Sequence, residues 1–309
     1  MTTQSSHRRA TKERRPPSGV WLIVAAVVVV LAAVGAVVLW IANRDGSSAV
    51  DDGSRGQGVA HVHGLGINPA DRSLIIATHY GSFRIASGSD TAERIGDSQQ
   101  DTMGFTVVGP DHFFGSGHPD DEGRRAGRPT RLGLIESTDG GETWSIQSQG
   151  GEADFHALVF AHETVYGWDA SSGRLLVSTD RRTWDHRSTV DLFSFAVDPD
   201  DADHLVATSP DGLIDSTDGG QTWTSVDGPP VVLLSWHDGA GLWGVAAGGA
   251  VWHDADEQWQ RASSLPGQPQ ALLATEDALY AAAHDADDVT GIYRSTDDGD
   301  SWQLHYRDG

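Results

Sequence analysis

From residue 59 onward the apolar residues come in short runs, rich in β-branched side chains and separated by turns of Gly, Asp and Pro, as at Ser73 to Thr78 and His204 to Thr208. Runs of this length bounded by turn residues predict strands, and no segment of this region carries a helical period. One earlier stretch departs from the pattern: the 22 residues from Trp21 to Ala42 contain no charged side chain. As a helix they would extend about 33 Å, enough to cross a hydrocarbon core about 30 Å thick, so a transmembrane helix is expected there.

The flanks of that stretch set its orientation. Arg8, Arg9, Lys12, Arg14 and Arg15 precede it, and Trp21 and Trp40 stand at its two ends. Basic residues stay on the cytoplasmic side and tryptophans gather at membrane interfaces, so residues 1–20 read as a cytoplasmic tail and everything beyond Ala42 as extracytoplasmic. A cleaved signal peptide would have a shorter apolar core and an Ala-x-Ala site, which Leu39-Trp40-Ile41-Ala42 does not supply. Residues 43–58, rich in Gly, Ser and Asp, read as a flexible linker.

The strand region repeats itself. Ser-Thr-Asp-Gly-Gly-Glu-Thr-Trp at 137–144 recurs as Ser-Thr-Asp-Gly-Gly-Gln-Thr-Trp at 216–223 and Ser-Thr-Asp-Asp-Gly-Asp-Ser-Trp at 295–302, with weaker copies ending at Trp184 and Trp259. Successive tryptophans are 40, 39, 36 and 43 residues apart. A period near 40 predicts a propeller or solenoid. Aligned on the octapeptide, residues 59–309 divide into six units, 59–98, 99–149, 150–189, 190–228, 229–266 and 267–309, each with four strands. An all-β, six-bladed β-propeller is the expected fold. The first unit lacks the octapeptide, and the second carries an insertion at 118–131 containing Arg124, Arg125, Arg128 and Arg131. The acidic run 198–203 occupies the place of Asn68-Pro69-Ala70-Asp71 in unit one, so it reads as a turn and not a calcium loop.

The octapeptide resembles the Asp-box, or BNR repeat, of sialidases, sortilin-type receptors, some xyloglucan hydrolases and photosystem assembly factors. That resemblance implies a turn between the third and fourth strands of each blade, with the Trp packed between neighbouring repeats. The start His61-Val62-His63-Gly64-Leu65-Gly66-Ile67-Asn68-Pro69 is similar to that of bacterial membrane-associated Asp-box proteins labelled glycosylhydrolase or exo-alpha-sialidase. The relatives do unrelated things, so the resemblance speaks for fold and not for activity.

Charge and composition narrow the partners. Beyond Ala42 there are 16 arginines, no lysine and 43 acidic residues, a net −27 with His neutral. Such a field repels nucleic acid and attracts cations. The absence of cysteine excludes disulfides, thiolate metal sites and a cysteine nucleophile.

The repeat alignment sorts the 14 histidines. In a propeller blade the turns after strands one and three lie on one face and the loops after strands two and four on the other. His61, His63 and His156 fall at first-strand starts, in a ring that reads His63, Met103, His156, Ser194 and Gln270. His79, His118 and His284 fall at second-strand ends. Six histidines and Met103 are thus expected at one mouth, opposite the octapeptides. Imidazole suits copper and zinc, and a thioether adds a preference for Cu(I), so copper or zinc is the metal this set predicts. Asp101, Asp154, Asp169 and Asp285 fall close enough in register to orient the imidazoles.

Two other functions fit the same mouth. In an exo-glycosidase of sialidase type, Tyr80 with Glu152 would be the nucleophile pair, or Asp169 and Asp285 the two carboxylates. Phe83-Arg84-Ile85-Ala86 resembles the sialidase Phe-Arg-Ile-Pro motif without its Pro, and Arg84 aligns with the third-strand Arg294, which reads as structural. In a scaffold of sortilin or assembly-factor type, the mouth would bind an extracytoplasmic protein.

Overall fold

The computed structural model describes residues 58–255 and 258–308. The predicted transmembrane helix from Trp21 to Ala42, the tail before it and nearly all of the 43–58 linker lie outside these residues. Among the described residues no helix is long and apolar enough to cross a membrane.

The described strands form six four-stranded antiparallel sheets, each built from four consecutive strands. Blade one holds β1 to β4 (Val62–Ile67, Leu74–Thr78, Gly81–Ile85, Ala92–Ile95), and blade two β5 to β8 (Asp101–Gly109, His112–His118, Leu134–Ser137, Ser145–Ser148). Blade three holds β9 to β12 (Phe155–Ala161, Thr164–Asp169, Arg174–Ser178, Asp185–Thr189), and blade four β13 to β16 (Ser194–Val197, Leu205–Ser209, Gly212–Ser216, Thr224–Ser225). Blade five holds β17 to β20 (Val231–His237, Gly241–Ala246, Ala250–Ala255, Gln258–Ser264), and blade six β21 to β24 (Gln268–Ala274, Leu279–His284, Thr290–Ser295, Gln303–Arg307). The fold is a six-bladed β-propeller, and the innermost strand of every blade lines an axial cavity of about 630 Å³.

The apolar residues do not form one central core. Each of the six seams between neighbouring blades has its own cluster. Alternation along the strand makes this possible, because successive side chains leave opposite faces of the sheet. On β2, Leu74 and Ile76 pack toward blade six, while Ile75 and Ala77 pack toward blade two. The ring closes where Val59, Val62 and Leu65 meet Ala271, Ala282 and Ile292, and the Val59 amide donates to Asp308 Oδ1 at 3.1 Å.

The octapeptides form the expected turns between third and fourth strands. In the 137–144 copy, Asp139 Oδ1 accepts from Ser137 Oγ (2.8 Å) and from the Thr143 amide (3.0 Å), Asp139 Oδ2 accepts from Thr143 Oγ1 (2.6 Å), and Ser137 Oγ accepts from the Gly141 amide (2.8 Å). Asp218 and Asp297 repeat the pattern. Trp184, Trp223 and Trp302 each donate their indole N–H to a serine of the preceding blade, Ser148, Ser188 and Ser263, at 2.9, 3.0 and 3.0 Å. The run at 198–203 is a self-satisfied turn, in which the Asp200 amide donates to Asp198 Oδ1 and the Asp203 amide to Asp201 Oδ1.

The insertion of blade two departs from expectation by containing a helix, α1 (Asp121–Arg125), capped by the Asp120 side chain accepting from the Gly123 amide. The segment is tied down on both sides. The Leu132 amide donates to the Gly117 carbonyl and the Gly151 amide to the Arg131 carbonyl, both at 2.8 Å.

Candidate metal centre

The site grows out of an irregularity in the innermost strands. In β1, β5, β9, β17 and β21 the pairing with the second strand skips one residue near the mouth. The skipped residues are His63, Met103, His156, Val232 and Gln270. An unpaired bulge residue turns its side chain out of the ladder, a device common beside functional sites. Blade four has no such skip: Ser194 pairs directly with Thr208. Four of the five residues of the ring read from the sequence, His63, Met103, His156 and Gln270, are therefore bulge residues; Ser194 is not, and Val232 is a bulge residue that the alignment left unassigned.

Second-strand ends complete the mouth. His79 follows β2, while His118 and His284 end β6 and β22. The position two before each bulge belongs to the same layer and holds His61, Asp101 and Asp154 in blades one, two and three. Three consecutive seams thus carry one constellation, made of a second-strand His, a residue of the next blade two before its bulge, and a bulge residue.

In the seam between blades one and two these are His79, Asp101 and His63. His79 Nδ1 lies 2.9 Å from Asp101 Oδ2, and His63 Nε2 lies 3.4 Å from Asp101 Oδ1. One donor atom from each of the three residues falls within 4.8 Å of the others. Burial works against ionisation of Asp101, yet the two imidazoles outweigh it and hold the carboxyl well below the usual carboxylate range. The hydrogen bond to Asp101 raises the pKa of His79 against the opposing effect of burial. His63 Nε2 and Asp101 Oδ1 are buried and have no partner but each other.

Between blades two and three the group is His118, Asp154 and His156, again with donor atoms within 4.8 Å of one another. Asp154 Oδ2 lies 3.2 Å from His156 Nε2 and 3.6 Å from His118 Nε2. Asp154 Oδ1 is buried without a partner. The two groups are neighbours, since Asp101 and His118 are direct cross-strand partners on β5 and β6. Gly117 makes this approach possible. Its φ is +141°, and a Cβ there would stand 1.9 Å from the Asp101 carbonyl oxygen.

The seam between blades six and one is satisfied by hydrogen bonds alone. Gln270 Oε1 accepts from the Val62 amide (3.3 Å), which orients its Nε2 to donate to His284 Nε2 (2.9 Å). His284 Nδ1 then faces Asp288 Oδ1 at 3.2 Å. His61, with φ +51°, packs edge-on to His284 with ring centroids 5.1 Å apart and stands 6.2 Å from the His79 ring. Burial first, then repulsion from His284, His79 and His63, lowers its pKa and keeps it neutral. His61 and His284 therefore flank the first group, while Met103 is the bulge residue of β5, the strand packed between β1 and β9.

The residues of the glycosidase reading make contacts of their own. Tyr80 packs edge-on against His79 with centroids 4.9 Å apart. Glu152 is exposed, and its carbonyl accepts from Arg131 Nη1 at 3.4 Å. Asp169 is spent on its turn, accepting from the Asp154 and Ser171 amides and from the Ser171 and Ser172 hydroxyls. Asp285 accepts from Arg307 Nη2 at 2.6 Å and from the Val289 amide at 3.0 Å.

No protein-family profile and no curated protein sequence matches this chain. Its fold is similar to solved propellers. A structure titled as a nidogen/laminin complex shares 13% identity over 75% of this chain and 91% of that one, with a TM-score of 0.57. A gluconolactonase from Xanthomonas campestris shares 16% over 72% and 83%, with a TM-score of 0.54. YCF48 bound to D1 peptide shares 14% over 80% and 82%, with a TM-score of 0.50. At these identities the likeness is one of fold.

Proposed function

We propose that this chain is a membrane-anchored, extracytoplasmic Asp-box propeller whose mouth binds a transition metal ion, copper or zinc, through His63, His79 and Asp101. The observation that carries the reading is the convergence of one donor atom each from His63, His79 and Asp101 within 4.8 Å, with the buried His63 Nε2 and Asp101 Oδ1 facing each other at 3.4 Å. Buried polar atoms almost always find a well-formed hydrogen bond, and a pair left with only one long mutual approach retains capacity to bind an ion. Two imidazoles and one carboxylate suit zinc or Cu(II), and the acidic surface concentrates cations at the opening. His61 and His284 line the approach, and the hydrogen bonds of Gln270 hold His284 in place.

The test is a thermal-shift titration of the full chain, purified in detergent and stripped with a chelator. Zn²⁺ or Cu²⁺ at 100 times its Kd should stabilise the wild type by about 2.7 kcal/mol. His63→Gln with Asp101→Asn should lose the part of the shift that this site contributes. A wild-type melting temperature indifferent to both ions would end the reading.

A second reading is peptide capture. It is favoured by the likeness to a propeller solved with a bound peptide and by Phe193, 57% exposed beside Ser194 at the axial cavity. The glycosidase reading has less support, because Asp169 and Asp285 are engaged in turn and ion-pair bonds.

A further inference from the structure

His118 and Asp154 stand one seam further round the ring where His79 and Asp101 stand in the first group, the third donor is His156, the bulge residue of the following blade, and the details of His118 single this group out. Its Nδ1 lies 2.8 Å from the Thr130 carbonyl oxygen. A carbonyl only accepts, so Nδ1 carries the proton, and a neutral ring then presents a lone pair at Nε2. That lone pair faces Asp154 Oδ2 at 3.6 Å, and His156 Nε2 reaches the same oxygen at 3.2 Å. A lone pair opposite a carboxylate is repulsive unless a proton or a metal cation stands between them, and the cluster of three donors favours the metal. Histidines that ligate metals characteristically donate the other ring N–H to a carbonyl, which is what Thr130 receives here.

The surroundings are organised to hold this arrangement. Thr130 belongs to the insertion of blade two, whose end is anchored by the Leu132 amide on the Gly117 carbonyl and by the Gly151 amide on the Arg131 carbonyl. The Asp154 backbone is fixed by the Asp169 carboxylate, which accepts its amide at 2.9 Å, and by the Ala170 amide, which donates to its carbonyl at 3.0 Å. Asp154 is 9% exposed, and its Oδ1 is buried without a partner. In the seam before, the bulge residue is His63; here the same register position is Met103.

We propose that the seam between blades two and three is a second transition-metal site, loaded independently of the first, with His118, Asp154 and His156 as ligands and the insertion as the element that sets the His118 tautomer. This rests on the mouth being a metal-binding surface, and adds that it takes two ions per chain and not one. The carboxylates Asp101 and Asp154 are ligands in this account, each shared between two imidazoles.

Calorimetric titration of the chelator-stripped full chain with Zn²⁺ tests it. The wild type should take up two ions per chain. His118→Gln with His156→Gln should take up one, with the remaining site unchanged in affinity, and His63→Gln with His79→Gln should also take up one. Matching melting temperatures of the metal-free proteins confirm that each variant folds, and Asp154→Asn provides a milder change with the same expected loss of one ion. A wild-type stoichiometry of one that survives His118→Gln/His156→Gln overturns the second site and leaves the first standing. Loss of all binding in that variant shows one shared site and also overturns it. No uptake by the wild type overturns both readings together.

Discussion

The two faces of the propeller use the same residue type, aspartate, to opposite ends. On the octapeptide face, the Asp139, Asp218 and Asp297 carboxylates each accept from hydroxyls and amides of their own turn. At the mouth, Asp101 and Asp154 each sit between two imidazoles; Asp154 keeps one oxygen buried and unpartnered, and Asp101 Oδ1 has only the 3.4 Å approach of His63 Nε2. A saturated carboxylate stabilises a turn and has nothing left to offer a ligand. An unsatisfied buried one costs about 1–3 kcal/mol, a cost that a bound cation would offset. Repetition alone therefore does not mark function in this chain; incomplete satisfaction does.

The comparison breaks most visibly at Gly117, where the two histidine–aspartate groups meet. Gly117→Ala places a Cβ against the Asp101 carbonyl at positive φ, and should destabilise the fold by at least about 2 kcal/mol in urea denaturation while weakening zinc uptake. On the other face, Trp223→Phe removes the indole bond to Ser188. It should cost about 1 kcal/mol of stability and leave metal stoichiometry untouched. A change in stoichiometry there would show that the faces are not separable.

Acid titration sharpens the same contrast. Hydrogen bonds from Thr222, Ser216 and Gln221 lower the pKa of Asp218 to about 2, and Asp139 and Asp297 are lowered in the same way, against burial where it opposes them. A carboxyl depressed in the folded state contributes stability above its unfolded value, near pH 4, and loses it as pH falls toward the folded value. Melting temperature should therefore drop between about pH 4 and pH 2, and Asp218→Asn should flatten part of that slope. The smallest effect on the fold is expected of Met103→Leu, which preserves volume and should leave the melting temperature and zinc stoichiometry unchanged. Measured with a competing chelator under reducing conditions, the same variant should retain Cu(I) less well, because the soft donor is gone.

Much of this was legible in the chain because the octapeptide recurs at a near-constant spacing. Counting back from it gathers His63, Met103 and His156 into one layer, and the structure places all three at bulges of innermost strands. The bulges themselves are not visible in an apolar–polar pattern, since one unpaired residue leaves the flanking alternation intact. Nor does the pattern single out the four histidines that gather in two of the seams: that depends on Asp101 and Asp154 reaching His79 and His118 of the preceding blade, a contact between residues of different repeats. Helix α1 escaped notice because five residues are too few to show a period, and a capping aspartate with a few local bonds suffices to hold it. The membrane-spanning reading of Trp21 to Ala42 rests on sequence alone.

The central claim is that the mouth holds metal, and the most direct measurement is the elemental content of the full chain purified without chelator. The account predicts copper or zinc approaching two equivalents per chain, falling by about one in His118→Gln/His156→Gln and by the same amount in His63→Gln/His79→Gln. A folded chain free of both metals as purified, which takes up neither when they are supplied, would contradict it.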